Sequence, residues 1–87
     1  MGTLYQINFP NGKSYIGITA KTAMARFTAH KNQAKHINRP LYRILMEAGN
    51  QTSVRTLVIG PMSYLRQLEK RAILVYGTRY PNGYNMN

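Results

Sequence analysis

The side chain that most clearly needs a chemical partner is Glu69, an acid on the apolar face of a predicted helix. It lies one turn after Leu65 and next to Leu68. Because burial of an unpaired carboxylate is costly, we expect a cation, a proton or a strong donor beside Glu69. One interpretation is an ion pair with Arg66 or Lys70 on the helix surface. The other is a metal ligand. If the chain binds phosphate groups, a bare carboxylate beside them would repel them unless a divalent ion lay between the two.

Two tyrosines, Tyr5 and Tyr15, lie on the arms of a predicted β-hairpin. Short alternations of apolar and polar residues flank a Pro-Asn-Gly turn, which is a strong signal for antiparallel pairing. The tyrosines are either ordinary strand aromatics with solvated hydroxyls or a pair of functional phenols. The length of the loop decides whether the two hydroxyls can act together.

A two-residue loop at Asn11-Gly12 would make the two phenols project from opposite faces of the hairpin. A three-residue loop over 10–12 instead sets Tyr5 opposite Gly17 and places both hydroxyls on one side. We favour the longer loop, because proline suits the first central position of a type I turn and glycine suits the left-handed position after it. Gly17 would then leave a gap beside Tyr5 that backbone, substrate or water could enter.

Arg26 and His30 form the next candidate pair, on a helix predicted over 21–35. They are four residues apart and therefore share one face, beside the apolar stripe that contains Phe27. This face is either a solvated polar surface or part of a site. His36 lies in the connection to the next helix, and the sequence indicates no partner for it.

The composition predicts a polyanionic partner. The 87 residues suffice for one domain over 1–87, and 12 Lys+Arg against 2 acidic residues give a formal net charge of +10. Nucleic acid is favoured over a membrane, since no long basic amphipathic helix and no membrane-spanning run stands out. Without a signal-peptide pattern, a cytoplasmic location is expected, and the lack of cysteine agrees with it.

The same composition limits the chemistry that the chain can perform. Without cysteine there is no thiol nucleophile, disulfide framework or thiolate zinc site. A two-metal nuclease centre normally needs several carboxylates, and only Glu47 and Glu69 are available. Any metal chemistry must therefore use one ion and one carboxylate.

Hydrophobic periodicity predicts an α/β chain of the α+β type with the order β-β-α-α-β-α. The third strand has apolar residues on both faces, which indicates a well-covered strand. The third helix has a buried stripe at Leu65, Leu68, Ala72 and Tyr76, and the aromatic tail should pack back on the domain. The predicted elements are strands over 4–9, 14–19 and 53–59 and helices over 21–35, 40–48 and about 62–76, with Gly49 and Gly77 ending the last two helices.

These residues together resemble the GIY-YIG endonuclease family. The second signature triplet is present as Tyr15-Ile16-Gly17, whereas Thr3-Leu4-Tyr5 stands where Gly-Ile-Tyr is expected and Gly2 comes one residue early. The likeness extends over essentially the whole chain and continues through Asn11-Gly12-Lys13, Arg26, His30, Glu69 and Gly83-Tyr84-Asn85. Each triplet alone is weak, but the ordered set is specific.

The resemblance implies a small three-stranded antiparallel sheet flanked by helices and a metal-dependent endonuclease that hydrolyses nucleic-acid phosphodiesters. Glu69 would be the sole protein ligand of one Mg²⁺ or Mn²⁺ ion. Arg26 would hold the scissile phosphate. Tyr5 or Tyr15 would deprotonate or orient the attacking water, with His30 as partner for the proton, and the choice between the tyrosines stays open. Asn85 would tie the tail to the floor of the site near Gly17.

The expected partner is DNA, single- or double-stranded, and RNA is not excluded. The candidate backbone contacts are Lys13, Lys31, Lys35, Arg39, Arg43 and Arg79. The chain ends just after Asn85 with no separate DNA-reading domain, so we expect low sequence specificity, strong salt dependence and a monomer or weak dimer. The alternatives are a catalytically inactive basic nucleic-acid-binding module and a scaffold protein that meets an acidic partner.

Overall fold

A computed structural model of the chain describes residues 1–33, 40–48 and 51–86. Its elements follow the predicted order and form an α+β fold. They are β1 (Gly2–Asn8), β2 (Ser14–Thr19), α1 (Ala23–Gln33), α2 (Pro40–Ala48), β3 (Ser53–Gly60) and α3 (Met62–Tyr76). The predictions for Lys35, His36, Arg39 and Gly49 lie outside the described residues.

The turn between β1 and β2 has the predicted three-residue loop. The Phe9 amide donates to the Lys13 carbonyl at 3.1 Å, and the Gly12 amide donates back to the Phe9 carbonyl at the same distance. Gly12 has a φ of 85°, a left-handed conformation that glycine adopts without steric cost. The register that follows pairs Tyr5 with Gly17, as predicted.

The three strands form one antiparallel sheet in the order β2-β1-β3, with a hydrophobic core on each face. The first core gathers Tyr5, Ile7 and Phe9 of the hairpin with buried residues of α1 and α2. The second packs Leu4 and Ile16 against buried residues of α3. Because side chains alternate along a strand, the hairpin supplies both cores and separates α3 from α1 and α2.

β3 differs from its prediction as a well-covered strand. It is an edge strand without a fully buried apolar side chain, and Ile59 is 64% exposed. Its apolar residues contact both cores, Val54 on one face and Leu57 and Val58 on the other, but they are only partly buried.

α1 buries Ala23, Phe27 and His30, whereas Met24 is exposed. The buried side of the helix therefore includes the histidine, and the alternative of a solvated polar face is wrong for His30. The helix begins after Thr22, whose hydroxyl accepts from the Ala25 amide at 3.1 Å.

α3 buries Leu65, Ala72 and Ile73, with Leu68 half-buried. Tyr76, predicted to be part of that stripe, is 46% exposed at the rim of a groove beside β3. Gly77 ends the helix in the left-handed conformation with a φ of 63°. Among residues 1–33, 40–48 and 51–86, no helix combines the length and hydropathy needed to cross a bilayer.

The tail packs back on the hairpin, as its aromatic residues predicted. The Tyr84 amide donates to the Ser14 carbonyl at 3.0 Å, and the Tyr84 ring packs edge-on against Phe9 with centroids 4.9 Å apart. The tail thereby covers the outer edge of β2, which the sheet order leaves unpaired.

Candidate active site

The phenol of Tyr5 lies over the backbone of Gly17. Tyr5 is 1% exposed, and a Cβ at Gly17 would overlap its hydroxyl and the ring carbon that carries it. The gap expected beside Tyr5 is therefore filled by the phenol itself rather than left for substrate or water. Gly17 is needed because no other residue leaves room for this ring.

Tyr15 lies on the same side of the hairpin as Tyr5, and the ring centroids are 6.3 Å apart. Tyr15 is half-buried, so it is the more accessible of the two phenols. Burial raises the pKa of Tyr15, and the neighbouring Tyr5 hydroxyl offsets only a small part of that rise. The longer hairpin loop thus brings both tyrosines into one site.

His30 connects this pair to α2. Its Nε2 lies 2.9 Å from the Tyr5 hydroxyl, and its Nδ1 lies 3.2 Å from the Tyr42 hydroxyl. The Tyr42 hydroxyl donates to Gln33 Oε1 at 3.2 Å. The Tyr42 hydroxyl has one proton and donates it to Gln33. The hydrogen bond between His30 and Tyr42 is therefore donated by the Nδ1–H of His30, and the unprotonated Nε2 accepts from the Tyr5 hydroxyl.

The surroundings of His30 keep its imidazole neutral. Burial in the first place, and the charge of Arg26 in addition, together lower the pKa of His30 to about 4. A neutral ring with Nε2 free to accept is the form that the hydrogen bond from Tyr5 requires. The site therefore has a proton acceptor at neutral pH.

The same burial keeps the two tyrosines protonated. It raises the pKa of Tyr5, with a further rise from the charge of Tyr15, and both effects outweigh the charge and hydrogen bond of Arg26, which lower it. Burial also raises the pKa of Tyr15, followed by the charge of Glu69. In the protein alone, Arg26 does not make either phenol a base at neutral pH.

Arg26 and Glu69 belong to different helices, and the charges of both act on the tyrosines. Arg26, on α1, is half-buried and interacts with the Tyr5 hydroxyl, and Glu69, on α3, acts on both phenols through its charge. The hairpin, α1 and α3 therefore converge on one place. An arginine and a carboxylate beside two phenols can bind an anionic phosphate and a cation together.

Glu69 is half-buried at a groove of about 370 Å³ that is also lined by Ile18, Arg66, Gln67 and Lys70. Burial raises the pKa of Glu69, and Lys70 lowers it only in part. Within the described part of the chain, no ion pair is formed with its carboxylate. The ion-pair interpretation of Glu69 is therefore not supported.

Asn85 fastens the tail to β2 beside these side chains. Its Oδ1 accepts from the Ile16 amide at 2.8 Å and from the Thr78 hydroxyl at 2.7 Å, and its Nδ2 donates to the Ile16 carbonyl at 2.7 Å. Asn85 is 2% exposed. Ile16 lies between Tyr15 and Gly17, so the amide holds the backbone that carries both.

Sequence reasoning missed Tyr42 and Gln33, which complete the hydrogen-bonded chain from His30. Tyr42 lies outside the predicted apolar stripe of α2, which consists of Leu41, Ile44, Leu45 and Ala48, and its position in the sequence gave no sign of a polar partner. Gln33 is exposed and lies one turn beyond His30 on α1. It meets Tyr42 only when α2 packs beside α1 in the folded chain.

The proposed backbone contacts that are described lie apart from this cluster. Lys13 stands over the Tyr84 ring at 5.8 Å, and Lys31 stands over the Phe27 ring at 5.1 Å. Arg43 on α2 and Arg79 in the tail are exposed. Lys35 and Arg39 fall outside the described residues, so their relation to the site has no structural description.

Among solved structures, the chain is similar to the catalytic domain of the homing endonuclease I-TevI, with a TM-score of 0.81 and 24% identity over 100% of this chain and 99% of that one. No protein-family model matches the sequence. A comparison with curated proteins also finds no match. This likeness, together with the three-stranded antiparallel sheet and its helices, confirms the fold expected from the sequence.

Proposed function

We propose that this chain, which has the fold of an endonuclease catalytic domain, hydrolyses phosphodiester bonds of nucleic acid, in the first place DNA, with one divalent metal ion and low sequence specificity. The observation that carries the proposal is the convergence of Tyr5, Tyr15, His30 and Arg26 with the single carboxylate of Glu69. Four separate elements, β1, β2, α1 and α3, supply these groups.

The donors around Glu69 fit one hard divalent ion. The carboxylate is half-buried, faces a groove and has no ion pair within the described residues. The described residues contain no group of three or more histidines and acids, which suits an ion that keeps several waters and takes its other oxygens from substrate. Mg²⁺ or Mn²⁺ held by Glu69 would polarise the phosphate and lower the pKa of a bound water.

Arg26 is the residue suited to hold the scissile phosphate. Its guanidinium is permanently charged, half-buried and directed at the Tyr5 hydroxyl. In this position it would bind a phosphate oxygen and offset the charge that develops in the transition state.

The two tyrosines have different tasks in this proposal. Tyr15 is the more accessible phenol and would orient the attacking water, whereas Tyr5 is buried and bonded to His30. A proton leaving the water can pass along the hydroxyls of Tyr15 and Tyr5 to Nε2 of His30, which is neutral at the pH of the reaction. The last of these transfers would follow the hydrogen bond between the Tyr5 hydroxyl and His30 Nε2, which is formed in the protein alone.

The test compares Glu69→Gln with Glu47→Gln, because Glu47 is the other acid of the chain and is exposed on α2. Supercoiled plasmid and a labelled single strand are incubated at low salt with Mg²⁺, with Mn²⁺ or with chelator. We expect metal-dependent cleavage that Glu69→Gln lowers by at least about 100-fold, the scale of losing one transition-state contact, and that Glu47→Gln leaves unchanged.

Binding to the same substrates is measured in chelator for all three proteins. Retained binding by Glu69→Gln would separate loss of chemistry from loss of affinity. Absence of cleavage by the wild type with either metal, together with equal binding by all three proteins, would overturn the proposal in favour of a basic binding module.

A further inference from the structure

The exposed side of α3 next to Glu69 is basic and grooved. Arg66 and Lys70 are four residues apart and exposed, so they are neighbours on one face of the helix. They line the groove of about 370 Å³ that contains Glu69. The candidate metal ligand thus has two exposed cations beside it on the same helix surface.

A second groove continues from this one toward the tail. It has a volume of about 280 Å³ and is lined by Lys70, Ile73, Leu74 and Arg79. Lys70 belongs to both grooves, so the two are contiguous. Together they form a path from Glu69 along α3 to the exposed Arg79, which we call the α3 path, with cationic residues Arg66, Lys70 and Arg79.

The opposite side of α3 borders a groove that is mainly apolar. This groove of about 290 Å³ lies between α3 and β3, and Arg71 is its one charged lining residue among those described. Arg71 follows Lys70 directly, yet the helix turns the two side chains to different grooves. The basic character is therefore a property of one side of the helix rather than of the whole of α3.

We infer that the α3 path binds the phosphate backbone of the nucleic acid on one side of the scissile bond, with Arg66, Lys70 and Arg79 as phosphate contacts. The inference rests on the proposed function, because it takes Glu69 as the place of cleavage. Lysine and arginine side chains along a groove suit a backbone that repeats one negative charge per nucleotide. The exposed side chain of Leu74 offers apolar surface to the sugars between those charges.

The test compares two double variants, each of which removes two charges from one side of α3. The double variant Arg66→Gln with Lys70→Gln changes the α3 path, and the double variant Arg55→Gln with Arg71→Gln removes the same charge from the β3 side. All four positions are exposed, and Arg55→Gln in addition removes a hydrogen bond of 2.9 Å from Arg55 Nε to Gln6 Oε1. Circular dichroism and urea midpoints therefore verify the fold of both variants before binding is compared. A labelled oligonucleotide of mixed sequence, single-stranded and duplex, is titrated in chelator over a range of salt.

We expect the α3-path variant to lower the slope of log affinity against log salt by about 1.4 for the single strand or about 1.8 for the duplex. This is the decrease that the loss of two phosphate contacts would cause. The β3-side variant should keep the wild-type slope. Equal slopes for the two variants would overturn the inference while leaving the proposed nuclease intact. Lack of binding by the wild type at low salt would instead count against the proposed function as well.

Discussion

His30 joins two elements of the fold through the two nitrogens of one imidazole. Nε2 accepts from Tyr5 of β1, and Nδ1 donates to Tyr42 of α2. The ring is 2% exposed, so neither bond competes with water. This is the condition under which a histidine holds one tautomer and one protonation state.

The protonation state of His30 should make folding stability depend on pH. The folded ring has a pKa lowered to about 4 from 6.5, so between these values the unfolded state binds the extra proton and the free energy of unfolding falls as pH falls. We expect a loss of up to about 3 kcal/mol across this window. The groups that face the ring are Tyr5, Tyr15, Tyr42 and Arg26.

Urea unfolding at a series of pH values measures this loss, with His30→Gln as the matched protein whose residue 30 does not titrate. The difference between the two proteins isolates the contribution of His30 from those of the carboxyl groups. A His30 resonance that titrates near 6.5 in the folded protein would contradict the prediction.

Gly17 should tolerate no side chain, because the Tyr5 phenol occupies the position of its Cβ. Gly17→Ala is expected to displace Tyr5 and to lower nuclease activity by about 100-fold, the usual cost of moving a catalytic group by an ångström. Gly60→Ala is the control, since a Cβ there meets only Tyr64, at 3.7 Å. Plasmid nicking rates give the comparison, and equal activity of the two variants would refute the assigned position of Tyr5.

At the scale of elements, the tail completes the sheet beside β2. Asn85 presents one acceptor and one donor to the amide and carbonyl of Ile16, as a neighbouring strand would. Tyr84 adds a backbone bond to Ser14. The strand that carries Tyr15 and Gly17 is therefore held on both edges although the sheet has only three strands.

Loss of the Asn85 side chain should destabilise the fold. Asn85→Ala leaves the buried amide and carbonyl of Ile16 and the hydroxyl of Thr78 without these partners. We expect a decrease of about 2 to 4 kcal/mol in the free energy of unfolding. Asn82→Ala, an exposed change in the same tail, should remain within about 0.5 kcal/mol. Urea midpoints measure both, and equal midpoints would contradict the bracing role.

For the whole molecule, the charge and the two cores have separate effects. Buried side chains from both faces of the hairpin form the cores, so the sheet is fixed between α3 on one side and α1 with α2 on the other. The net charge of +10 adds no contact to either core and instead destabilises the compact state by self-repulsion. A bound polyanion would relieve that repulsion, which is why the charge argues for a partner rather than for the fold.

Local patterns in the sequence were sufficient for the order of elements and for the hairpin register. A Pro-Asn-Gly turn and a period of two determine which residues face each other, so Tyr5 opposite Gly17 follows from short-range chemistry. The ends of α3 follow from Pro61 and Gly77 for the same reason. Composition likewise limits the site to a single carboxylate.

The tertiary structure decided what depends on contacts between distant residues. The hairpin register predicts that Tyr5 faces Gly17, but only the fold shows that the Tyr5 ring fills the space over the glycine. Nothing near Tyr42 or His30 in the sequence indicates that α2 brings the two together. Whether β3 lies at an edge depends on sheet order, which periodicity does not contain. The neutral state of His30 also depends on the tertiary structure, because burial by other elements is the main cause of its lowered pKa.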